Sequence, residues 1–249
     1  MSKTVSVVIP TLQKNVELLN NLISSLERDT AVKEIIVIDN SIKGYIHNSL
    51  KLRVITPEKN IFVNPAWNLG VKESGEDIVA LLNDDITIPE NFCKNVIEQI
   101  TPDMGIVGFH RDYIENIQAI MPIPVSTDLF LELATGRCGF FGIAMFFYKT
   151  SYYEIPAEMK IFWGDDWLYY WNKKYKKNNY YISGQKIYHW GSLSSADNFI
   201  NPYSKSDSKL YRKYTKKWWQ FIFNIEFVFR GIRITVCGVN FLCHYDKNH

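Results

Sequence analysis

The chain has 249 residues and 47% apolar content, enough for one large α/β domain or two small ones around a hydrophobic core. A net charge of +2 argues against a dedicated nucleic-acid-binding protein, because such proteins carry a large excess of basic side chains. No cysteine belongs to a CxxC pair, there is no signal-peptide core, and no apolar run reaches the roughly 18 residues of a membrane span, so a cytoplasmic chain is expected.

Apolar runs alternate with helical spacings along the first hundred or so residues. Buried strands are predicted at Val5–Ile9, Glu34–Ile38, Leu52–Thr56, Ile78–Leu82 and Gly105–Phe109. Helices are predicted at Val16–Arg28, Ala66–Glu73 and Asn91–Ile100. This alternation favours a doubly wound, mostly parallel sheet.

Polar residues follow three of these strands: Thr11 after the first, Asp39 after the second, and Asn83-Asp84-Asp85 after the fourth. The carboxyl ends of parallel strands meet at one edge of a sheet, where ligands bind. Two adjacent carboxylates repel each other, and a divalent cation that also contacts substrate phosphates relieves the repulsion. The alternative is an Asx turn with solvated side chains.

A Rossmann dehydrogenase and a P-loop NTPase are disfavoured, because the chain has neither a GxGxxG nor a GxxxxGK[ST] loop. A bound diphosphate would therefore need another source of positive charge. This again favours a metal at Asp84-Asp85.

The second half of the chain is rich in aromatic residues, beginning with the stretch Phe140–Tyr148. Asp165 and Asp166 precede a predicted helix at Leu168–Lys177, where they are either capping residues or functional carboxylates. The segment Tyr113–Thr135 has no legible pattern.

Two short strands are predicted at Tyr180–Ile182 and Lys186–Tyr188, and they lead to His189. A single histidine is more often structural than functional. At a strand end followed by a glycine-serine loop, however, a neutral imidazole can also be presented to a metal.

In this order and spacing, the segments resemble an inverting family 2 glycosyltransferase of the GT-A fold. The similarity runs from about Val5 to about Ser195. It rests on the first strand Val5–Thr11, the segment Asn60–Gly70, Asn83-Asp84-Asp85 at the DxD position, Asp165-Asp166 at the Glu-Asp position, and His189 at the site-closing histidine. The implied fold is a Rossmann-like, mostly parallel central sheet flanked by helices, with a C-terminal aromatic and basic extension.

The resemblance implies a metal-dependent hexosyl- or deoxyhexosyltransferase. It would move a sugar from a UDP-, GDP- or dTDP-sugar to a glycan or lipid-linked acceptor, in surface polysaccharide synthesis. The nucleotide would be bound by Thr11, Asp39, Asn68 and Asp84. Mn²⁺ or Mg²⁺ would be bound by Asp85, Asp84 and His189. Asp166, or else Asp165, would be the general base, and displacement from the opposite face without a covalent intermediate inverts the anomeric centre.

The chain departs from the family pattern at three positions. Asn40 and Asn83 stand where aspartates are usual, and Asp165 stands where the family has glutamate. Two other functions remain as alternatives. One is a binding module that has lost catalysis. The other is a sugar-phosphate nucleotidyltransferase, although Pro10–Lys14 lacks the GGxGTRL-like signature of that class.

The expected organisation is one domain over residues 1–203, with a nucleotide-binding half to about 110 and an acceptor-binding half beyond it. Residues 204–249 form an extension that is basic at Lys209–Lys217 and aromatic at Trp218–Phe229. The favoured prediction is that this extension packs on the domain or makes a homo-oligomer contact. The alternative is peripheral contact with the inner face of a membrane.

Overall fold

The computed structural model describes residues 3–136, 138–191, 201–215, 223–228, 231–236 and 239–244. Its contacts divide the chain into two units, Met1–Ser208 and Lys209–His249. Asp207 therefore belongs to the first unit, although it lies beyond the sequence-based boundary at residue 203.

The first unit is built from short strands and a few helices. The strands are β1 (Val5–Thr11), β2 (Val32–Asp39), β3 (Leu52–Ile55), β4 (Ile78–Leu82), β5 (Ile86–Thr87), β6 (Val107–Phe109), β7 (Ile114–Asn116), β8 (Phe130–Leu133), β9 (Ala144–Tyr148), β10 (Tyr180–Ser183) and β11 (Ile187–His189). The helices are α1 (Val16–Arg28), α2 (Val63–Glu73), α3 (Phe92–Gln99), α4 (Gly164–Lys174) and α5 (Asn201–Thr215), and the boundary between the units falls within α5.

Eight strands form the main sheet in the order β3-β2-β1-β4-β9-β6-β10-β8. Within it, only β8 and β9 run against the common direction. The predicted mostly parallel α/β sheet is therefore confirmed. The strand β4 lies near the middle of the sheet and is buried on both faces, as its uninterrupted apolar sequence predicted.

Helices α1, α2 and α3 pack against strands of this sheet. In α1 the buried residues recur at helical spacing as Leu18, Leu19, Leu22, Ile23 and Leu26. The helix begins where the sequence predicted, because the Asn15 side chain accepts a hydrogen bond from the backbone N–H of Leu18.

Helix α2 lies very close to β1. A β-carbon added to Gly70 would lie 2.1 Å from Cγ1 of Val8, so only glycine permits this approach. The helix begins at Val63 and not at Ala66, since Pro65 falls in the first turn, where its missing N–H is not needed.

The stretch Phe140–Tyr148 divides into a short 3₁₀ helix at Phe141–Ile143 and the antiparallel strand β9. The strands β5, β7 and β8 have no counterpart in the sequence prediction. They are only two to four residues long, too short to show a period.

A second, smaller sheet in the first unit has the order β5-β11-β7. In this sheet His189 pairs with Ile86 on one side and with Asn116 on the other. The sheet therefore places the end of β11 beside the residues that follow β4.

The second unit contains a three-stranded antiparallel meander of β12 (Phe223–Val228), β13 (Gly231–Val236) and β14 (Val239–His244). Its register aligns alternate apolar positions on one face of the sheet: Phe223, Ile225, Phe227, Ile232, Ile234, Val236, Val239, Phe241 and Cys243. Residues 216–222 and 229–230 of the predicted basic and aromatic segment lie outside the described residues. Where helices are described, none combines the length and the apolar composition needed to cross a bilayer.

Candidate active site

The ends of β1 and β4 meet at one edge of the main sheet. The Thr11 hydroxyl donates a hydrogen bond of 2.6 Å to Oδ2 of Asp84. Burial, followed by the neighbouring charge of Asp85, raises the pKa of Asp84 to about 6, and the hydrogen bond from Thr11 partly opposes this rise. Thr11 and Asp84 therefore lie close together, as expected for residues at the ends of neighbouring parallel strands.

Asp39 ends β2, directly beside Thr11 in the strand register. Its fully buried carboxylate accepts hydrogen bonds from the backbone N–H groups of Ser41 at 3.0 Å and Gly44 at 2.9 Å. In this structure the side chain orders the loop that follows β2. Its contact with a nucleotide stays a prediction.

Asn40 has a structural role that accounts for one departure from the family pattern. Its amide donates to the carbonyl of Phe62 at 3.3 Å and accepts from the backbone N–H of Ile61 at 3.1 Å. An aspartate could accept the second of these bonds but could not donate the first. The amide therefore ties the end of β2 to the residues that lead into α2.

Asp85 and His189 face each other across the small sheet. Oδ1 of Asp85 lies 3.3 Å from Nε2 of His189, and both side chains are largely buried. Within the described part of the chain, this oxygen accepts no hydrogen bond. A buried carboxylate oxygen without a donor is costly, so the arrangement calls for a further charged group.

His189 is oriented by Asn116. Nδ1 of the histidine lies 2.8 Å from Oδ1 of Asn116, which can only accept, so Nδ1 carries the proton in the neutral ring. Nε2 then turns a lone pair towards the site. Metal-binding histidines are commonly held by such a bond from the second ring nitrogen. Sequence reasoning missed Asn116, because it lies in a segment without a legible pattern.

This pair fits a divalent cation. The carboxylate oxygen and the imidazole lone pair are separated by about the distance expected for neighbouring ligands of an octahedral ion, roughly 3 Å. No group of three or more His, Cys, Asp or Glu side chains among the described residues could hold a metal. A cation here would therefore need further oxygen ligands from a substrate, which is how Mg²⁺ is often bound beside phosphates.

The acid pair lies in the first turn of α4, which begins at Gly164, before the predicted start at Leu168. A β-carbon added to Gly142 would lie 3.1 Å from Cβ of Asp165, so these two segments are in close contact. The next residue, Ile143, accepts a hydrogen bond of 2.9 Å from the backbone N–H of Asn83. The start of α4 is thus linked through Gly142 and Ile143 to the acidic triplet after β4.

Asn68 is not brought into this group of residues by any hydrogen bond. Its Oδ1 accepts from the Tyr152 hydroxyl at 2.7 Å and from the backbone N–H of Ile155 at 3.0 Å. Its amide nitrogen donates to the carbonyl of Ile155 at 2.7 Å. The side chain therefore fixes α2 to the segment after β9, and its nucleotide contact stays a prediction.

Comparison with known families places the chain in a class of enzyme. The family model described as Glycosyl transferase family 2 matches residues 6–169, well over half of the chain. The chain belongs to this family, which confirms the resemblance seen in the sequence.

Three solved structures show the same fold. The S. aureus TarS fragment 1–349 is 16% identical with a TM-score of 0.53, and the match covers 75% of this chain and 60% of that one. The same fragment in complex with UDP is 16% identical with a TM-score of 0.54, over 74% and 60% of the two chains. Longer S. aureus TarS is 15% identical with a TM-score of 0.52, over 82% and 39%.

These likenesses confirm the predicted GT-A type of fold. The match spans about 60% of the length of the TarS fragment. No curated protein sequence matches the chain.

Proposed function

We propose that the chain is a metal-dependent, inverting glycosyltransferase. It moves a hexosyl or deoxyhexosyl group from a UDP-, GDP- or dTDP-sugar to a hydroxyl of a glycan or lipid-linked acceptor, in surface polysaccharide synthesis. The observation that carries the proposal is the buried Oδ1 of Asp85 opposite Nε2 of His189, without a hydrogen-bond donor of its own. The UDP bound to the similar TarS fragment supports a nucleotide donor.

The nucleotide occupies the edge formed by the ends of β1, β2 and β4. Thr11 and Asp39 contact the base and ribose, and Asp84 contacts the ribose or the cation. Two neighbouring strands already bring the Thr11 and Asp84 side chains within hydrogen-bond distance. The family resemblance adds Asn68 to the nucleotide-binding residues, although its side chain bonds the segment after β9 in this structure.

Asp85 and His189 would hold Mn²⁺ or Mg²⁺, and Asp84 and oxygens of the diphosphate would complete its ligands once the donor is bound. When bound, the cation neutralises the diphosphate and stabilises its departure by Lewis acidity. The protein's part is to keep one carboxylate oxygen of Asp85 without a competing donor, and to keep the imidazole oriented through Asn116.

Asp166 acts as the general base. It takes the proton of the acceptor hydroxyl while the oxygen attacks the anomeric carbon, and the bond from that carbon to the diphosphate breaks on the opposite face. The new glycosidic bond therefore has inverted configuration.

Nucleotide release tests this function directly. The chain is incubated with UDP-, GDP- and dTDP-sugars in Mn²⁺, Mg²⁺ or EDTA, and we expect turnover of one nucleotide class that EDTA abolishes. Asp85→Ala should lose metal-dependent donor binding and turnover with an unchanged circular dichroism spectrum. Asp103→Ala, an exposed carboxylate away from the site, is the matched control and should behave as wild type.

Other outcomes have clear meanings. Full activity in EDTA, or in Asp85→Ala, contradicts the metal assignment. Donor binding without any turnover indicates a binding module. Pyrophosphate release from a nucleoside triphosphate and a sugar phosphate indicates a nucleotidyltransferase.

A further inference from the structure

The carboxylate of Asp207 is buried in α5, far along the chain from the acid pair, and contacts the loop that leads into α4. Its side chain is fully buried in the first unit. One oxygen, Oδ2, accepts hydrogen bonds from the backbone N–H groups of Ile161 at 2.8 Å and Phe162 at 3.0 Å. These bonds hold the backbone only a few residues before Asp165 and Asp166.

The same loop is held from its other side by Asn64 of α2. The Asn64 side chain donates to the carbonyl of Phe162 at 3.1 Å, and its backbone N–H donates to the carbonyl of Lys160 at 3.0 Å. A β-carbon on Gly164 would lie 2.2 Å from Oδ1 of Asn64, so the start of α4 is packed tightly on α2. The loop therefore lies between α2 and α5.

The loop contains an unfavourable backbone conformation at Trp163, which precedes α4 at φ 67°. A large L-residue in this left-handed region is strained, because its β-carbon crowds the backbone. Such conformations persist only where surrounding contacts over-determine them, and they cluster at functional sites. The bonds from Asp207 and Asn64 supply those contacts here.

We propose that Asp207 is a positioning residue for the acid pair. By accepting two backbone N–H groups at one oxygen, it holds the residue 160–163 loop in the conformation that directs the first turn of α4 at the acceptor hydroxyl. This proposal rests on the proposed function of the acid pair as general base. Nothing in the sequence around Asp207 indicates the role, because its partners lie 45 and 46 positions away.

Loss of this oxygen should affect the base more than the donor site. Without an acceptor, two partly buried N–H groups lose their partners, and we expect the loop to relax away from the present conformation of Trp163. A displacement of about 1 Å in a positioned group can lower a rate by about 100-fold. The donor residues Thr11, Asp39 and Asp84 lie at the ends of β1, β2 and β4, whereas the backbone bonds of Asp207 go to the loop before α4.

The experiment compares Asp207→Ala with Asp207→Asn and with a matched buried carboxylate. Asp29 is also buried and accepts backbone N–H groups, from Cys93 at 2.8 Å and Lys94 at 3.2 Å, but it caps α3 and not the acid-pair loop. Melting temperature, kcat and donor KM are measured for all variants. Lys205→Ala, an exposed change on the same helix, controls for effects on α5 itself.

We expect Asp207→Ala to lower kcat by about 10- to 100-fold with donor KM within about twofold of wild type. Asp207→Asn keeps one oxygen that can accept both bonds and should retain kcat within about threefold. Asp29→Ala should lower the melting temperature while kcat is unchanged, and Lys205→Ala should change neither.

Four results would overturn the proposal. They are a wild-type kcat in Asp207→Ala, equal kcat losses in Asp29→Ala and Asp207→Ala, no rescue by Asp207→Asn, and failure of Asp207→Ala to fold. The proposed function is judged separately, by wild-type turnover and by its loss in Asp166→Asn. If Asp166→Asn loses turnover while Asp207→Ala keeps full kcat, the proposal for Asp207 is contradicted and the proposed function is not.

Discussion

Asp84 ionises less readily than an ordinary aspartate, because it is partly buried beside the charge of Asp85, and its pKa is raised to about 6. An acid whose pKa is raised by folding destabilises the folded chain at any pH above its unfolded pKa of about 3.9, and the effect is complete above about pH 6. The same carboxyl group favours a bound cation. Under the proposed function, the site would lose stability in the cation-free protein in exchange for ligand binding.

We expect Asp84→Asn to raise the melting temperature of the cation-free chain by several degrees at about pH 7.5, because the neutral amide removes this penalty. The gain should shrink as the pH is lowered through 6 towards 4.5, where the wild-type carboxyl is already protonated when folded. Thermal denaturation in EDTA at both pH values measures it. A gain of equal size at the two pH values would contradict the assigned pKa.

Asn116 is the residue that determines which ring nitrogen of His189 faces Asp85. Asn116→Leu removes the acceptor for Nδ1, so the ring is free to rotate or to change tautomer. We expect Mn²⁺ affinity, measured calorimetrically in the presence of UDP, to fall about 10- to 100-fold.

Asn116→Asp keeps an acceptor at the same place and serves as the control for Asn116→Leu. It should retain most of the affinity. Equal losses in the two variants would indicate that Asn116 acts through something other than the bond to His189.

At the scale of the element, α4 has two carboxylates in its first turn, and we propose different roles for them. Asp165 lies against Gly142, beside the segment that contacts Asn83. Asp166 is one residue further, rotated by about 100° around the helix. Because the two side chains leave the turn in different directions, we assign the packing role to Asp165 and the catalytic role to Asp166.

We expect Asp166→Asn to lower kcat by about 10²- to 10⁴-fold with little change in the donor Kd, because the amide keeps the shape and removes the basicity. Asp165→Asn, the matched change one position earlier, should be milder. Single-turnover kinetics and donor binding measure both variants. A larger kcat loss in Asp165→Asn would exchange the two assignments.

At the scale of the whole molecule, the second unit raises the question of what covers its meander. Its register aligns nine apolar positions of the sequence on one face. Soluble proteins rarely leave a large apolar face uncovered. Protein contact, within the chain or with a second copy, is the favoured prediction, and peripheral membrane contact is the alternative.

Vesicle sedimentation separates these two possibilities. We expect the full chain not to sediment with anionic vesicles, and we expect a chain ending after Thr215, which keeps Asp207, to become less soluble or to change its oligomeric state in light scattering. Salt-sensitive sedimentation of the full chain, lost in the shortened chain, would instead support the membrane contact.

Local pattern was sufficient to determine the class of fold and one edge of the site. Burial on both faces makes β4 an unbroken apolar run, and one-sided burial gives α1 its helical spacing, so both were predicted with their observed bounds. Because parallel strands end at a common edge, the same pattern also predicted that Thr11, Asp84 and Asp85 lie close together.

Only the tertiary structure determined which groups hold those residues in place. Asn116 contacts a residue 73 positions away and Asp207 contacts one 46 positions away, and no local period connects partners at such distances. Asn40 and Asn68 show the same limit. By pattern, Asn40 is a turn residue and Asn68 is a helix residue. In the fold, each side chain forms a hydrogen bond to a segment distant in sequence. Hydrogen bonds of this kind depend on how strands and helices pack, and packing is settled by the whole chain.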